Sequence, residues 1–219
     1  MKNVIIIIIL LFTINACKPI EENDKIIQYP VDNEFKKYFG SFKEGSWWAY
    51  QDTVSGTIDT FRVTTYLEEN KSDCYMEIDE KKVYSSLIYY KVEHNLTSSS
   101  NIWTYRVRSD CDFPEESFVD INFGTGSGIK IFFVENQFLN YVSLANNDSL
   151  ISTYHSTYSL NNINYNDVYY VENTSEVHGY DDFDFIYCKN IGIIGFNGKN
   201  YFDNNYVAYW VLIDKNIIQ

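Results

Sequence analysis

From residue 39 onward, apolar residues recur at every second position in short runs, and Asn, Asp, Ser and Gly separate the runs. This is the period of strands, and helical spacing is nearly absent. Residues 46–53 and 57–67 flank Ser55-Gly56 and predict a hairpin. In its second arm Ile58, Thr60, Arg62 and Thr64 share one face, and Phe61, Val63, Thr65 and Leu67 the other. Residues 74–78 and 82–92 predict a second pair, joined near Asp79-Glu80. In residues 102–108, Trp103, Tyr105 and Val107 oppose Thr104, Arg106 and Arg108. Runs at 117–123, 129–135, 138–145, 150–160 and 166–172 follow, and 183–189, a Gly192–Gly195 turn region and 206–213 close the chain. Only Asn33 to Tyr38 reads as a helix. About a dozen strands at this spacing predict an all-β, mainly antiparallel single domain: a curved half-barrel, a barrel or a sandwich.

The N-terminus is patterned differently. Lys2 precedes an unbroken apolar run from Val4 to Phe12, which ends in Thr13-Ile14-Asn15-Ala16-Cys17. Such a run rises about 13 Å as a helix, far short of the roughly 30 Å of hydrocarbon in a bilayer. A charged start, a short apolar core and a small residue before a cleavage point predict a secretory signal. Ile14-Asn15-Ala16-Cys17 resembles the lipobox of bacterial lipoproteins. The resemblance implies that residues 1–16 are removed and that Cys17 is acylated, palmitate being a typical chain. Several acyl chains at about 0.8 kcal/mol per buried methylene hold a protein durably on a membrane. Residues 17–38 are expected to form a lipidated flexible tether, and 39–219 the β-domain. Glu21, Glu22 and Asp24 resemble the acidic cluster that sends some Bacteroidetes lipoproteins to the cell surface, a solvated linker being the alternative. The expected location is exported and lipid-anchored at the outer membrane, periplasmic or surface-exposed.

Composition narrows the partners. With 17 Lys and Arg against 30 Asp and Glu, the formal charge is −13, and losing Lys2 with the signal makes it −14. Such a charge repels a nucleic-acid backbone and supports solubility. The 20 Tyr and 15 Phe are the material of alternating strands, and exposed aromatics also serve carbohydrate-binding surfaces. Once Cys17 is set aside, Cys74, Cys111 and Cys188 remain, enough for one disulfide of unreadable pairing or for three free thiols.

Candidate chemistry is sparse. Gly124-Thr-Gly126-Ser-Gly128-Ile-Lys130 lacks the Gly-Lys-Ser/Thr of a phosphate loop and is followed by a strand, so it reads as a β-turn. Asp181, Asp182 and Asp184, with Glu176 and His178 just before, are the best local candidates for a hard cation but lack a complete calcium loop. His94, His155 and His178 have no paired spacing for zinc and read as surface or strand histidines. No Gly-x-Ser-x-Gly elbow occurs, and a carboxylate pair for glycoside hydrolysis leaves no linear signature. No catalytic residue and no cofactor is therefore assigned. Asp52-Thr53-Val54 and Asp148-Ser149-Leu150 resemble the O-glycosylation acceptors of Bacteroidetes envelopes, which makes Thr53 and Ser149 candidate modification sites.

Three further segments resemble a pattern in uncharacterised Bacteroidetes outer-membrane lipoproteins. They are the opening from Phe39 to Tyr50, with Gly45-Ser46-Trp47-Trp48, followed by Asp59-Thr60; the late strand from Asn161 to Val171, with Tyr165-Asn166-Asp167-Val168; and the closing run from Tyr187 to Ile194, with Gly192, then Trp210-Val-Leu212-Ile213. The resemblance implies a curved antiparallel sheet like that of lipoprotein carriers, and fold alone does not fix function. The expected role is a non-enzymatic binding or scaffolding subunit that reaches the membrane through Cys17, with other envelope proteins or a glycan as candidate partners. The alternatives are a hydrolase of envelope or other polysaccharide, and a carrier of a lipid or acyl chain.

Overall fold

Alternation of aromatic and β-branched residues with polar ones produces β1 (Ile26–Tyr29), β2 (Trp47–Asp52), β3 (Ile58–Glu69), β4 (Met76–Ile78), β5 (Lys81–Ser85), β6 (Leu87–Glu93), β7 (Ile102–Ser109) and β8 (Ser117–Asn122). The chain continues through β9 (Gly128–Val134), β10 (Gln137–Phe138), β11 (Tyr141–Ser143), β12 (Asp148–Leu160), β13 (Ile163–Asn173), β14 (Phe183–Cys188), β15 (Gly192–Lys199) and β16 (Val207–Asn216). One helix, α1 (Asn33–Phe39), lies between β1 and β2. This computed structural model describes residues 26–69, 76–78, 81–94, 102–109, 116–122, 128–134, 137–138, 141–143, 148–173, 183–199 and 207–219. The fold is all-β, as the alternation predicts.

Thirteen strands form one antiparallel sheet in the order β10-β9-β8-β7-β6-β3-β2-β16-β15-β14-β13-β12-β11. Its two edge strands, β10 and β11, are neighbours in sequence, so the sheet curls until its edges approach and nearly closes into a barrel. Closing a sheet removes the exposed edges that would otherwise pair with other chains. Side chains stitch the seam. Ser152 Oγ of β12 donates to the Phe138 carbonyl of β10 at 2.7 Å, and the Phe138 ring stands edge-on to Tyr169 of β13 at 4.1 Å between centroids. A second, three-stranded sheet, β1-β5-β4, pairs β1 with β5 in parallel.

The concave side is filled with rings. Phe61 and Trp103 meet edge to face at 5.0 Å, Tyr90 and Tyr105 stack at 4.6 Å, and Phe185 and Tyr187 stack at 5.6 Å. Offset and edge-on pairs of this kind add about 0.5–1.5 kcal/mol beyond their buried area. The helix closes this core. Asp32 caps it by accepting from the Glu34 and Phe35 amides at 2.7 and 2.9 Å, and Phe35, Tyr38 and Phe39 are buried on the barrel wall. Phe35 stacks on Phe133 at 5.2 Å, and Phe39 lies 4.7 Å from Tyr187.

Four expectations are corrected. The tether was expected to run to residue 38, yet β1 pairs with β5 and Val31, Phe35, Tyr38 and Phe39 belong to the core. The Gly192–Gly195 turn region is the start of β15, and the turn lies one step earlier, where Asn190 and Gly192 have φ of 61° and 88°. The run 82–92 is broken at Ser86: β5 goes to the small sheet and β6 to the barrel, with the Ser86 amide donating to the Tyr29 carbonyl at 3.0 Å. Leu67 does not share the buried face of Phe61 and Val63. A bulge between Val63 and Thr65 shifts the register, leaving Leu67 exposed and packing Tyr66 against the core.

A cleft at the barrel seam as candidate functional site

Where the sheet nearly closes, a cleft of about 660 Å³ opens between α1, β9–β10, β12–β13 and the β14–β15 turn. Ligand pockets commonly span roughly 300–1,000 Å³. Its floor is aromatic: Tyr38, Phe133, Phe138 and Tyr169, all nearly buried. Its rim is polar: Glu34, Lys189, Asp167, Ser152 and the half-exposed Tyr154.

The rim charges are held by their neighbours. Glu34 bonds to Lys189 at 2.6 Å and also to Lys37 one helical turn on. These two ammonium groups hold the Glu34 carboxyl below the usual carboxylate range, and the same contact holds Lys189 above the usual lysine range. The turn that carries Lys189 is fixed on both sides. The Lys189 amide donates to the Asp167 carbonyl at 3.1 Å, and the Asn190 amide to the Lys37 carbonyl at 2.7 Å.

Asp167 lies inside β13 with φ of 55°, the left-handed region that non-glycine residues seldom occupy. Its Oδ1 accepts the Tyr154 hydroxyl at 2.7 Å, and this acceptor raises the Tyr154 pKa. Burial raises the Tyr38 hydroxyl too, with Tyr169, Asp167 and Tyr154 adding to the effect, so all four groups share one field. The cleft thus presents a carboxylate and phenols beside an ammonium–carboxylate pair, over an apolar floor.

Among the described residues, the void inside the barrel is far smaller. The void among Tyr50, Tyr90, Tyr105, Tyr187 and their neighbours is about 20 Å³, the room of a single water. Among the described residues, the concave interior expected of an acyl-chain carrier is therefore packed with side chains.

The site residues expected from the sequence lie elsewhere. Asp184 Oδ2 accepts from the Tyr170 hydroxyl at 3.0 Å and from Asn197 Nδ2 at 2.9 Å, which ties this carboxylate into the sheet. Asp181 and Asp182 lie outside the described residues, as do Cys17, Cys74, Cys111, Glu176, His178 and the glycines 124 and 126. Among the described residues no cluster of His, Cys, Asp and Glu could hold a metal ion. Thr53 is exposed on the β2–β3 turn, and the buried Asp52 accepts the Val54 and Ser55 amides at 3.1 and 3.2 Å. That Asp therefore has a structural task of its own. Ser149 belongs to β12, opposite Val142. Cys188 is a buried free thiol whose pKa burial pushes up to about 11. His155 lies in β12, and His94, far from any surface role, is buried against Phe61 at 4.8 Å.

Sequence reasoning missed the cleft, although two of its residues, Asp167 and Lys189, stand in motifs quoted above. The signal was their convergence. Trp48 Nε1 of the opening motif donates to the Ile191 carbonyl at 2.7 Å, and Phe42 occupies the space where a Gly192 side chain would begin. The three separate motifs therefore meet at the β14–β15 turn.

No family model matches this chain, and no curated protein sequence matches it. Two solved structures align with it. A Parabacteroides distasonis chain described as a lipoprotein is 13% identical, over 82% of this chain and 99% of that one, with a TM-score of 0.39. A Bacteroides fragilis chain described as an exported protein with a YmcC-like fold is likewise 13% identical over 82% and 99%, with a TM-score of 0.40.

Proposed function

We propose that the chain is an exported, lipid-anchored envelope protein whose nearly closed barrel presents the seam cleft as a binding face, acting as a non-enzymatic binding or scaffolding subunit. The observation that carries the binding reading is the cleft itself: about 660 Å³, aromatic below and polar at the rim, against about 20 Å³ in the void among the described residues of the barrel interior. The signal-like run from Val4 to Phe12 and the Ile14-Asn15-Ala16-Cys17 motif support the anchor, with Cys17 as the acylated residue.

Non-enzymatic action fits the state of the rim groups. A general acid or base works best with a pKa near the operating pH. Here Glu34 is pushed down and Tyr38 and Tyr154 are pushed up, away from neutrality. Fractionating cells that express the full chain tests the anchor. The wild type should pellet with membranes, and Cys17→Ala should not. A Cys17→Ala protein that still pellets after a carbonate wash contradicts the proposal.

A further inference from the structure

The seam cleft combines properties that together select a ligand class. Glu34 and Lys189 pair across its rim, Lys37 outside the lining also holds Glu34, and Asp167 is the remaining lining carboxylate. An incoming ammonium would face Lys189 and a Glu34 already neutralised by its lysines, and an incoming phosphate or carboxylate would face two carboxylates on a chain of formal charge −13. Neither sign of charge gains from entering. The cleft nevertheless has unused hydrogen-bonding capacity. Asp167 spends Oδ1 on Tyr154, and its Oδ2 has no hydrogen bond to any described residue. The Tyr38 hydroxyl has none either, and it lies within the field of Asp167, Tyr154 and Tyr169. A carboxylate oxygen accepts only, whereas a phenol both donates and accepts, so the pair suits adjacent hydroxyl groups. Beneath them, Phe133, Phe138 and Tyr169 form an apolar wall for the C–H face of a ring.

The backbone supplies an independent observation. A non-glycine residue at φ 55° within a strand is costly, and such strain is retained where the surroundings hold a side chain in a required place. The kink at Asp167 presents its carboxylate to the Tyr154 hydroxyl and the cleft.

From this combination we infer that the seam cleft binds a neutral, polyhydroxylated ligand of the size of a small sugar, with Asp167 and Tyr38 meeting its hydroxyl groups and Phe133, Phe138 and Tyr169 its apolar face. This rests on the reading of the cleft as the binding face.

The test uses the purified full chain in detergent micelles and saturation-transfer NMR with titration. The probes are methyl glucoside, methyl galactoside, methyl mannoside, N-acetylglucosamine and lactose, with glucosamine and glucuronate as charged counterparts. At least one neutral sugar should bind, with glucosamine and glucuronate at least tenfold weaker. Asp167→Asn keeps a residue that tolerates the left-handed conformation while removing the charge, and Tyr38→Phe removes only the hydroxyl that is to meet the ligand and keeps the ring. Each should weaken binding at least tenfold with an unchanged melting temperature. A charged counterpart that binds as tightly, and is lost in the same variants, overturns the ligand class while the cleft stands as a binding face. A neutral sugar whose affinity neither variant changes overturns its placement in this cleft. No binding by any probe, neutral or charged, overturns the inference, and the reading of the cleft as a binding face is then separate from it.

Discussion

His94 shows how a single buried side chain makes the whole fold sensitive to acid. It stacks on Phe61 and meets Trp103 edge-on at 5.1 Å, and burial lowers its pKa to about 4, against which Asp59 works in the opposite direction. A base whose folded pKa lies below its unfolded value of about 6.5 takes up its proton first in the unfolded chain. The stability it leaves intact at pH 7 is therefore lost as pH falls from about 6.5 toward 4, and the loss amounts to about 3 kcal/mol. Denaturant midpoints should show this slope in the wild type and lose it in His94→Phe, which keeps the stack. The buried phenols make a second contrast. Tyr50 donates to the Ile193 carbonyl at 2.8 Å, whereas the Tyr187 hydroxyl, equally buried, has no hydrogen-bond partner among the described residues. Tyr50→Phe leaves a buried carbonyl short of its donor and should cost about 1–3 kcal/mol, while Tyr187→Phe should cost nothing or stabilise. Equal losses in thermal unfolding would refute that assignment. Neither environment was legible in sequence. A histidine after Glu93 at the end of an alternating run carries no mark of depth, because depth depends on which sheet face the curl turns inward.

At the scale of elements, period-2 patterning placed most strands, because every second residue of β6 and β7 must reach the core while its neighbours face out. It failed where the backbone departs from that period. The bulge in β3 reverses the faces beyond Val63, and the break at Ser86 divides one apolar run between two sheets. Residues 26–38 misled for another reason. The helix over Asn33 to Tyr38 was legible, but seven residues do not show what they pack against, and the value of α1 comes from aromatic contacts made with strands about a hundred residues away. Phe35→Ala removes a fully buried ring packed on Phe39, Phe133 and Phe138 and should destabilise by about 3–5 kcal/mol. Were the segment only a tether, the substitution would leave the urea midpoint unchanged.

For the whole molecule, the all-β class was legible in composition and alternation, but the seam was not. Adjacency of β10 and β11 in sequence carries no hint that they are opposite edges of one sheet, so the cleft between them has no linear signature. Its parts come from α1, β9–β10, β12–β13 and the β14–β15 turn, and only curling of the sheet collects them. The proposed anchor is the reverse case, since its entire signal is linear, from Lys2 to Cys17. The proposed function combines the two: a binding barrel held at a membrane by Cys17 as its first mature residue. Mass spectrometry of the mature protein purified from its membranes tests that claim most directly. The expected N-terminal peptide begins at Cys17 and carries the added mass of a diacylglycerol, with or without one further acyl chain on its amine. A mature chain that starts at any other residue, or one that carries an unmodified Cys17, would contradict it.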